Sequence, residues 1–202
     1  MSAITIRAPN LADRKVLGQL YELMSKELAG LTRFSSLSPN ADFEKVMSVY
    51  LKTGNNKFFL AQKDQEPIGF IQLNIYRGSS IEPLKLSPEE KFRGMFNFAP
   101  LMLKMMAKIS RLVKKPFQPP AIYTGKRVGY ITNIYVKPEF RNQGVATELV
   151  NHSFSWFQNQ GIEEIVLRAL NANQAGVSFW QKQGFSPVSL SMRRLIKTQP
   201  DA

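Results

Sequence analysis

The sequence contains no cysteine, so disulfides, thiolate metal sites and cysteine nucleophiles are all excluded. A single histidine, His152, also excludes a histidine-rich metal site, and no metal is expected. No apolar run approaches the roughly 18 residues that a spanning helix requires, which argues against an integral membrane protein. The opening MSAITIRAPN has no basic stretch followed by an apolar one, so no secretory signal is expected. Internal repeats and low-complexity linkers are missing too. The chain reads as soluble and cytoplasmic.

Acidic residues are scarce: 15 Asp and Glu against 27 Lys and Arg, a net charge of +12. The rest is ordinary for a globular chain, with 44% hydrophobic and 21% charged residues in 202. That length suits a single domain spanning 1–202, with room for a large insertion. The surplus of positive charge points to an anionic partner: a phosphorylated cofactor, nucleic acid or an acidic membrane surface. Residues 1–80 carry ten basic and seven acidic side chains, and residues 131–202 carry seven and five. The segment 81–130 carries ten and three, so most of the excess lies in one quarter of the chain.

Periodicity predicts a strand at Ala3–Arg7, with Asn10 as an N-cap and a helix through about Leu28. A second helix is expected over Pro39–Leu51, then a hairpin of Lys57–Gln62 and Ile68–Tyr76 around KDQEP. RVGYITNIYVK reads as a strand ended by Pro138. A helix follows from about Gln143 to Gln160, closed by Gly161. Glu164–Leu170 reads as a strand, Gln174–Gln183 as a helix closed by Gly184, and Pro187–Ile196 as a last strand. The alternation argues for an α/β fold. About 80–125 is too long for a hairpin connection and must carry structure of its own. It offers Ser87 and Glu90 at capping-box spacing, then PLMLKMMAKISRLVKK. There Lys104, Lys108, Arg111 and Lys115 share one helical face and a methionine-rich stripe occupies the other.

The segment RNQGVA carries the most chemistry. A strand ends, a short turn follows, and a helix opens at a glycine whose neighbouring backbone N–H groups form an anion site. Gly144 has no side chain to obstruct a phosphate, Ala146 keeps the next turn small, and Arg141 can add a charge. A tight strand–helix turn is the plain alternative for such a short pattern.

After the next strand comes NQAGVSFWQKQGF. Strand, R-x-x-G-x-A, helix, strand and then this sequence resembles the C-terminal core of the GNAT superfamily, the Gcn5-related N-acetyltransferases. ITIR near the start and the hairpin EPIGFIQL agree with it, so the resemblance covers nearly the whole chain except about 80–125. It implies an α/β fold with a central mixed, mostly antiparallel sheet flanked by helices, here with a helical insertion between the third and fourth strands. It implies acetyl-CoA as co-substrate and a primary amine of a small molecule or peptide as acceptor, attacking the thioester directly. On that pattern the amides of Gln143, Gly144, Val145 and Ala146 would hold the pyrophosphate, with Arg141 beside them. The backbone of Ile134, Tyr135 and Val136 would pair with the pantetheine arm, and Asn173 would contact the cofactor near its reactive end.

The chain departs from the family pattern in two places. Trp180 stands where the usual general-acid tyrosine is expected, and Tyr130–Val136 contains no Asp or Glu to serve as base. The missing acid is tolerable, because a thiol of pKa about 8.5 leaves readily without protonation. The missing base costs more, because an alkyl amine of pKa about 10.4 is neutral in only about one molecule in a thousand at pH 7. Asn133 occupies one base position; water, Tyr135, Tyr130 or an acidic residue on the first helix such as Glu22 are candidates to take the proton.

Other features have plain readings. His152 sits at the edge of the stripe formed by Val145, Leu149 and Trp156, and Trp156 and Phe157 read as core. Arg193 and Arg194 read as a solvated face. The basic helix reads first as packing its methionine face on the domain; a lid, a homodimer contact or a membrane-surface element are its alternatives. No specific nucleic-acid partner is expected, since basic residues are not interleaved with a stacking platform of aromatics. A different class of function, a non-catalytic acyl-CoA-binding module with a basic partner-binding insertion, is the alternative that the missing carboxylate and tyrosine favour.

Overall fold

The computed structural model describes residues 3–31, 37–54, 56–78 and 126–192. The chain divides into two units, Met1–Arg77 with Arg127–Ala202, and Gly78–Lys126. The first carries the sheet. The basic helix at 100–115, the Ser87–Glu90 pair, and Arg193 and Arg194 lie outside the described residues.

Five strands lie in sequence order: β1 (Ile4–Arg7), β2 (Lys57–Lys63), β3 (Glu66–Gly78), β4 (Lys126–Val136) and β5 (Ile165–Leu167). β1 pairs antiparallel with β2, from Ile4 opposite Lys63 to Arg7 opposite Leu60. β2 returns antiparallel as β3 through Asp64 and Gln65, both at positive φ. Two left-handed residues in a two-residue loop match the twist of the strands they join. Between β3 and β4 the Lys137 N–H donates to the Ile68 carbonyl, and the Asn133 side chain meets Gln72. One position rises as the other falls, so these strands also run antiparallel. β4 and β5 are parallel, with Gly129 opposite Ile165 and Ile131 opposite Leu167. The sheet is therefore mixed and mostly antiparallel.

Among the described residues, four helices flank it: α1 (Arg14–Gly30), α2 (Phe43–Thr53), α3 (Val145–Asn159) and α4 (Gln174–Lys182). Alternation along β2 sends Phe58 and Leu60 into a core with Leu17, Leu20 and Met24 of α1 and Met47 of α2. Phe59 and Ala61 enter a second core with Val145, Leu149 and Phe157 of α3 and Trp180 of α4. With helices on both faces, all four residues are buried, which is why the run FFLA is continuously apolar. Each such large side chain contributes roughly 1.5–3 kcal/mol of burial.

Several boundaries shift for local reasons. Asn10 caps a short 3-10 turn, Leu11–Asp13, and forms a reciprocal capping box with Asp13 before α1 begins. α2 starts at Phe43 rather than at Pro39, because the Asp42 side chain accepts from the Lys45 N–H. β5 is three residues long instead of seven. The described part of the predicted last strand, Pro187–Met192, forms no strand, and Val188, Leu190 and Met192 are exposed.

Candidate active site

The short β5 creates the site. Its last pair with β4 is Ile131 with Leu167, but β4 runs on to Val136. Among the described residues, β4 from Thr132 onward therefore has no partner on its β5 side. Arg168, Ala169 and Leu170 line the far wall of a cleft of about 530 Å³, with Asn173, Gly176, Phe179 and Trp180 from the α4 region. Met24, Glu27 and Leu28 of α1 and Gly144–Thr147 at the start of α3 complete it. Thr132 also lines the cleft, and its buried Oγ1 has no hydrogen-bond partner among the described residues.

The turn between β4 and α3 is a 3-10 turn, Pro138–Phe140, followed by Asn142 and Gly144, both left-handed. Gly144 has φ +83 and a Cβ there would meet only open space, so the backbone conformation selects glycine and the space beside it stays clear. No side chain caps this end of α3, leaving its first N–H groups without an intrahelical partner. Val145 is buried and Ala146 half-buried at the cleft, whereas Gln143 is exposed and its side-chain amide donates to the Glu139 carbonyl.

Arg141 does not stand free. Its Nη1 and Nη2 reach the Glu27 carboxylate at 3.1 and 2.7 Å, and its Nε donates to the Val136 carbonyl at 2.9 Å. The guanidinium lies 5.6 Å over the Tyr135 ring. Glu27 thereby ties α1 to the end of β4 and lifts the Arg141 pKa, chiefly through the hydrogen bond. Tyr135 is buried in the α1–α2 core. Burial, helped by the Glu27 charge, pushes its phenol above the usual range, so it keeps its proton at neutral pH.

Asn133 lines the cleft, and its Nδ2 donates to Gln72 Oε1 at 2.7 Å and approaches the Tyr21 hydroxyl at 3.5 Å. Gln72, only 1% exposed, in turn donates to Asn56 Oδ1 at 2.8 Å. Ile134 sits on the α3–α4 side of the sheet and lines the cleft. Asn173 is the N-cap of α4, where its Oδ1 accepts from the Gly176 N–H at 3.0 Å. Trp180 is buried against Phe179 and Phe185, with ring centroids 5.0 and 5.3 Å away.

Other sequence candidates lie elsewhere. Glu22 pairs with Lys26 one helical turn on and borders a depression with Lys15 and Asp42, outside the cleft. The α1 acid that does line the cleft is Glu27, five residues further along the helix. Tyr130 packs edge-on against Tyr76 rather than in the cleft. His152 is exposed, its ring edge-on to Phe59 at 4.3 Å. Sequence reasoning missed Glu27, Gln72 and Thr132. Only Gln72 left a trace, as a polar residue inside the apolar run IGFIQLNIY. Among the described residues no His, Cys, Asp or Glu side chains gather as metal ligands would, and no helix is long and apolar enough to cross a membrane.

Comparison with known proteins agrees with this geometry. A 57-residue stretch is 40% identical to N-alpha-acetyltransferase 30 of Schizosaccharomyces pombe, covering 28% of this chain and 38% of that protein. The chain spans 25–38% of the length of the curated relatives it matches. A tetramutant of the BH1408 protein from Bacillus halodurans superposes with a TM-score of 0.67 at 11% identity, covering 95% of this chain and 99% of that one. A predicted acetyltransferase from Clostridium acetobutylicum, solved with acetyl-CoA, gives 0.59 at 17% identity, with 96% of each chain covered. These two share the fold. The sequence model of the Acetyltransferase (GNAT) family matches residues 19–185, and the chain belongs to that family.

Proposed function

We propose that this chain is an acetyl-CoA-dependent N-acetyltransferase whose acceptor is a primary amine of a small molecule or peptide. The observation that carries the reading is the open edge of β4, from Thr132 to Val136, beside the uncapped start of α3 at a left-handed glycine. An open strand edge offers alternating N–H and C=O groups to an extended ligand with amides of its own. The helix start offers N–H groups to a phosphate. The buried Thr132 hydroxyl, without a partner among the described residues, also suits a polar ligand in the cleft.

The roles follow from what each residue has left to offer. The backbone of Ile134, Tyr135 and Val136 holds the extended arm, and the amides of Gln143, Gly144, Val145 and Ala146 hold the phosphates. Arg141, already committed to Glu27 and to the Val136 carbonyl, braces the end of β4 and adds little net charge to the phosphate site. Asn173 spends its oxygen on the α4 cap and keeps its NH2 group for the ligand. Acetyl-CoA supplies an acetyl thioester, already activated towards an amine. Tyr135, held protonated, is a hydrogen-bond donor, and the buried Trp180 has no proton to shuttle.

Calorimetric titration with acetyl-CoA and CoA tests the reading. Micromolar binding is expected, together with thiol release when an acceptor amine is present. Gly144→Glu should weaken CoA binding at least 30-fold by bulk and like charge, while Gly144→Ala, which carries the same backbone strain, should bind nearly as the wild type does. Folded wild-type protein that binds neither ligand would overturn the reading.

A further inference from the structure

Gln72 sits in the middle of the sheet, on a stretch of β3 where Ile71 and Leu73 on either side are fully buried. A buried amide there costs free energy unless both of its ends are paired. Both are. Its oxygen accepts from Asn133 and its NH2 donates to Asn56, so Asn56, Gln72 and Asn133 form a directed chain of amides ending at the cleft. With the Asn133 NH2 spent on Gln72 and facing Tyr21, the unengaged atom of that amide among the described residues is its oxygen. A methionine would fill the same space without the polar cost. What the glutamine adds is orientation.

We infer that Asn133 Oδ1 holds the nitrogen of the acceptor amine, and that Gln72 and Asn56 are positioning residues that keep this oxygen, not the NH2 group, available to it. The inference rests on the acetyltransferase reading and narrows its acceptor. A neutral amide oxygen accepts an N–H but cannot take up a proton. The acceptor it serves best is therefore an amine with an appreciable uncharged fraction near neutral pH. At pH 7 an α-amino group of pKa about 8 is neutral in about one molecule in ten, more than about a hundredfold the fraction of a lysine side chain at about 10.4. Between these two peptide amines, the acceptor class assigned is the free N-terminus. The attack balances without a protein base: the amine nitrogen bonds to the acetyl carbon, the carbon–sulfur bond breaks, and the displaced amine proton passes to solvent while CoA leaves as thiolate.

Steady-state kinetics on the full chain test this, with an alanyl tetrapeptide bearing a free α-amine and an Nα-blocked lysine as acceptors. Wild type should use the tetrapeptide at least tenfold better in kcat/KM. Gln72→Met should raise the tetrapeptide KM about fivefold to tenfold, the worth of one oriented hydrogen bond, with the KM for acetyl-CoA unmoved. Asn56→Ala should do the same more weakly. Asn56→Asp, whose carboxylate still accepts from Gln72, should raise the KM less than Asn56→Ala does. An active wild type with unchanged KM in Gln72→Met and Asn56→Ala overturns the amide chain, as does an equal rise in the KM of both substrates. Preference for the blocked lysine overturns the acceptor class. A wild type that binds acetyl-CoA yet acetylates neither amine overturns the acceptor class, while the transferase reading stands or falls on the binding and thiol-release test above.

Discussion

Adding one methyl group at Gly69 measures how firmly β3 sets the position of β4. A Cβ at Gly69 would lie 2.6 Å from the Tyr135 carbonyl oxygen and 3.2 Å from Val136 Cα. Ordinary contact begins near 3.4 Å, and the obstructing atoms are backbone, so β4 must move by about 0.8 Å. Overpacking of this kind costs about 1–3 kcal/mol. For a chain of this size that lowers Tm by about 2–12 °C, readable by scanning calorimetry. The displaced residues are the ones whose open edge is assigned to the extended arm of acetyl-CoA. Losing the alignment of one hydrogen bond, about 1 kcal/mol, should weaken CoA binding by roughly fivefold to tenfold in a titration. A Gly69→Ala protein with wild-type Tm would show that the two strands have slack. Reduced Tm with unchanged CoA affinity would refute the link between Gly69 and the groove.

Two further predictions concern ion pairs. Arg7 meets both Asp13 carboxylate oxygens at 2.7 and 2.8 Å and holds the Asp13 pKa below its ordinary value, mainly by hydrogen bonding. The stabilisation is present above the unfolded value of about 3.9 and is lost as pH falls through the lower folded one. Asp13→Asn should therefore melt lower than wild type at pH 7, with the gap closing as pH falls below about 4 in a series of thermal melts; a gap that holds or widens in acid would contradict this. Arg141→Lys exchanges three directed contacts for one point charge and should cost about 1 kcal/mol at low salt, less as ionic strength rises. Urea titration at two salt concentrations checks it, and a variant as stable as wild type in both would show that Glu27 braces nothing.

The elements that sequence patterns revealed are those whose signals are local. The apolar run in Lys57–Gln62 and the helical spacing up to about Leu28 depend on neighbours a few residues apart, and the glycines at 161 and 184, both at positive φ, punctuate their helices as expected. The turn from β4 into α3 was legible because strand, glycine and helix follow one another along the chain. Pairings across the fold were not. Glu27 and Arg141 are 114 positions apart, and Asn133 and Gln72 are 61 apart, so no window on the sequence joins them. Glu22 was the natural guess because it shares a helix with Glu27, but it lies more than one turn away and pairs with Lys26. The length of β5 was overread because apolar content alone does not reveal where a strand leaves its neighbour: Ala169 and Leu170 line a cleft wall, and only Ile165–Leu167 pair with β4.

An unpaired strand edge normally invites a second polypeptide, and proteins blunt such edges with charge, proline or cover. The edge of β4 beyond Ile131 is recessed between Leu167–Leu170 and the α4 residues Phe179 and Trp180, in a space of about 530 Å³. An added strand would sit about 4.8 Å away and carry side chains above and below the sheet, and on the α3–α4 face Leu167, Phe179 and Trp180 already stand. A thin linear molecule with amides but no side groups meets no such obstruction. The feature that would be an aggregation hazard on an outer strand becomes, one strand further in, a filter by thickness.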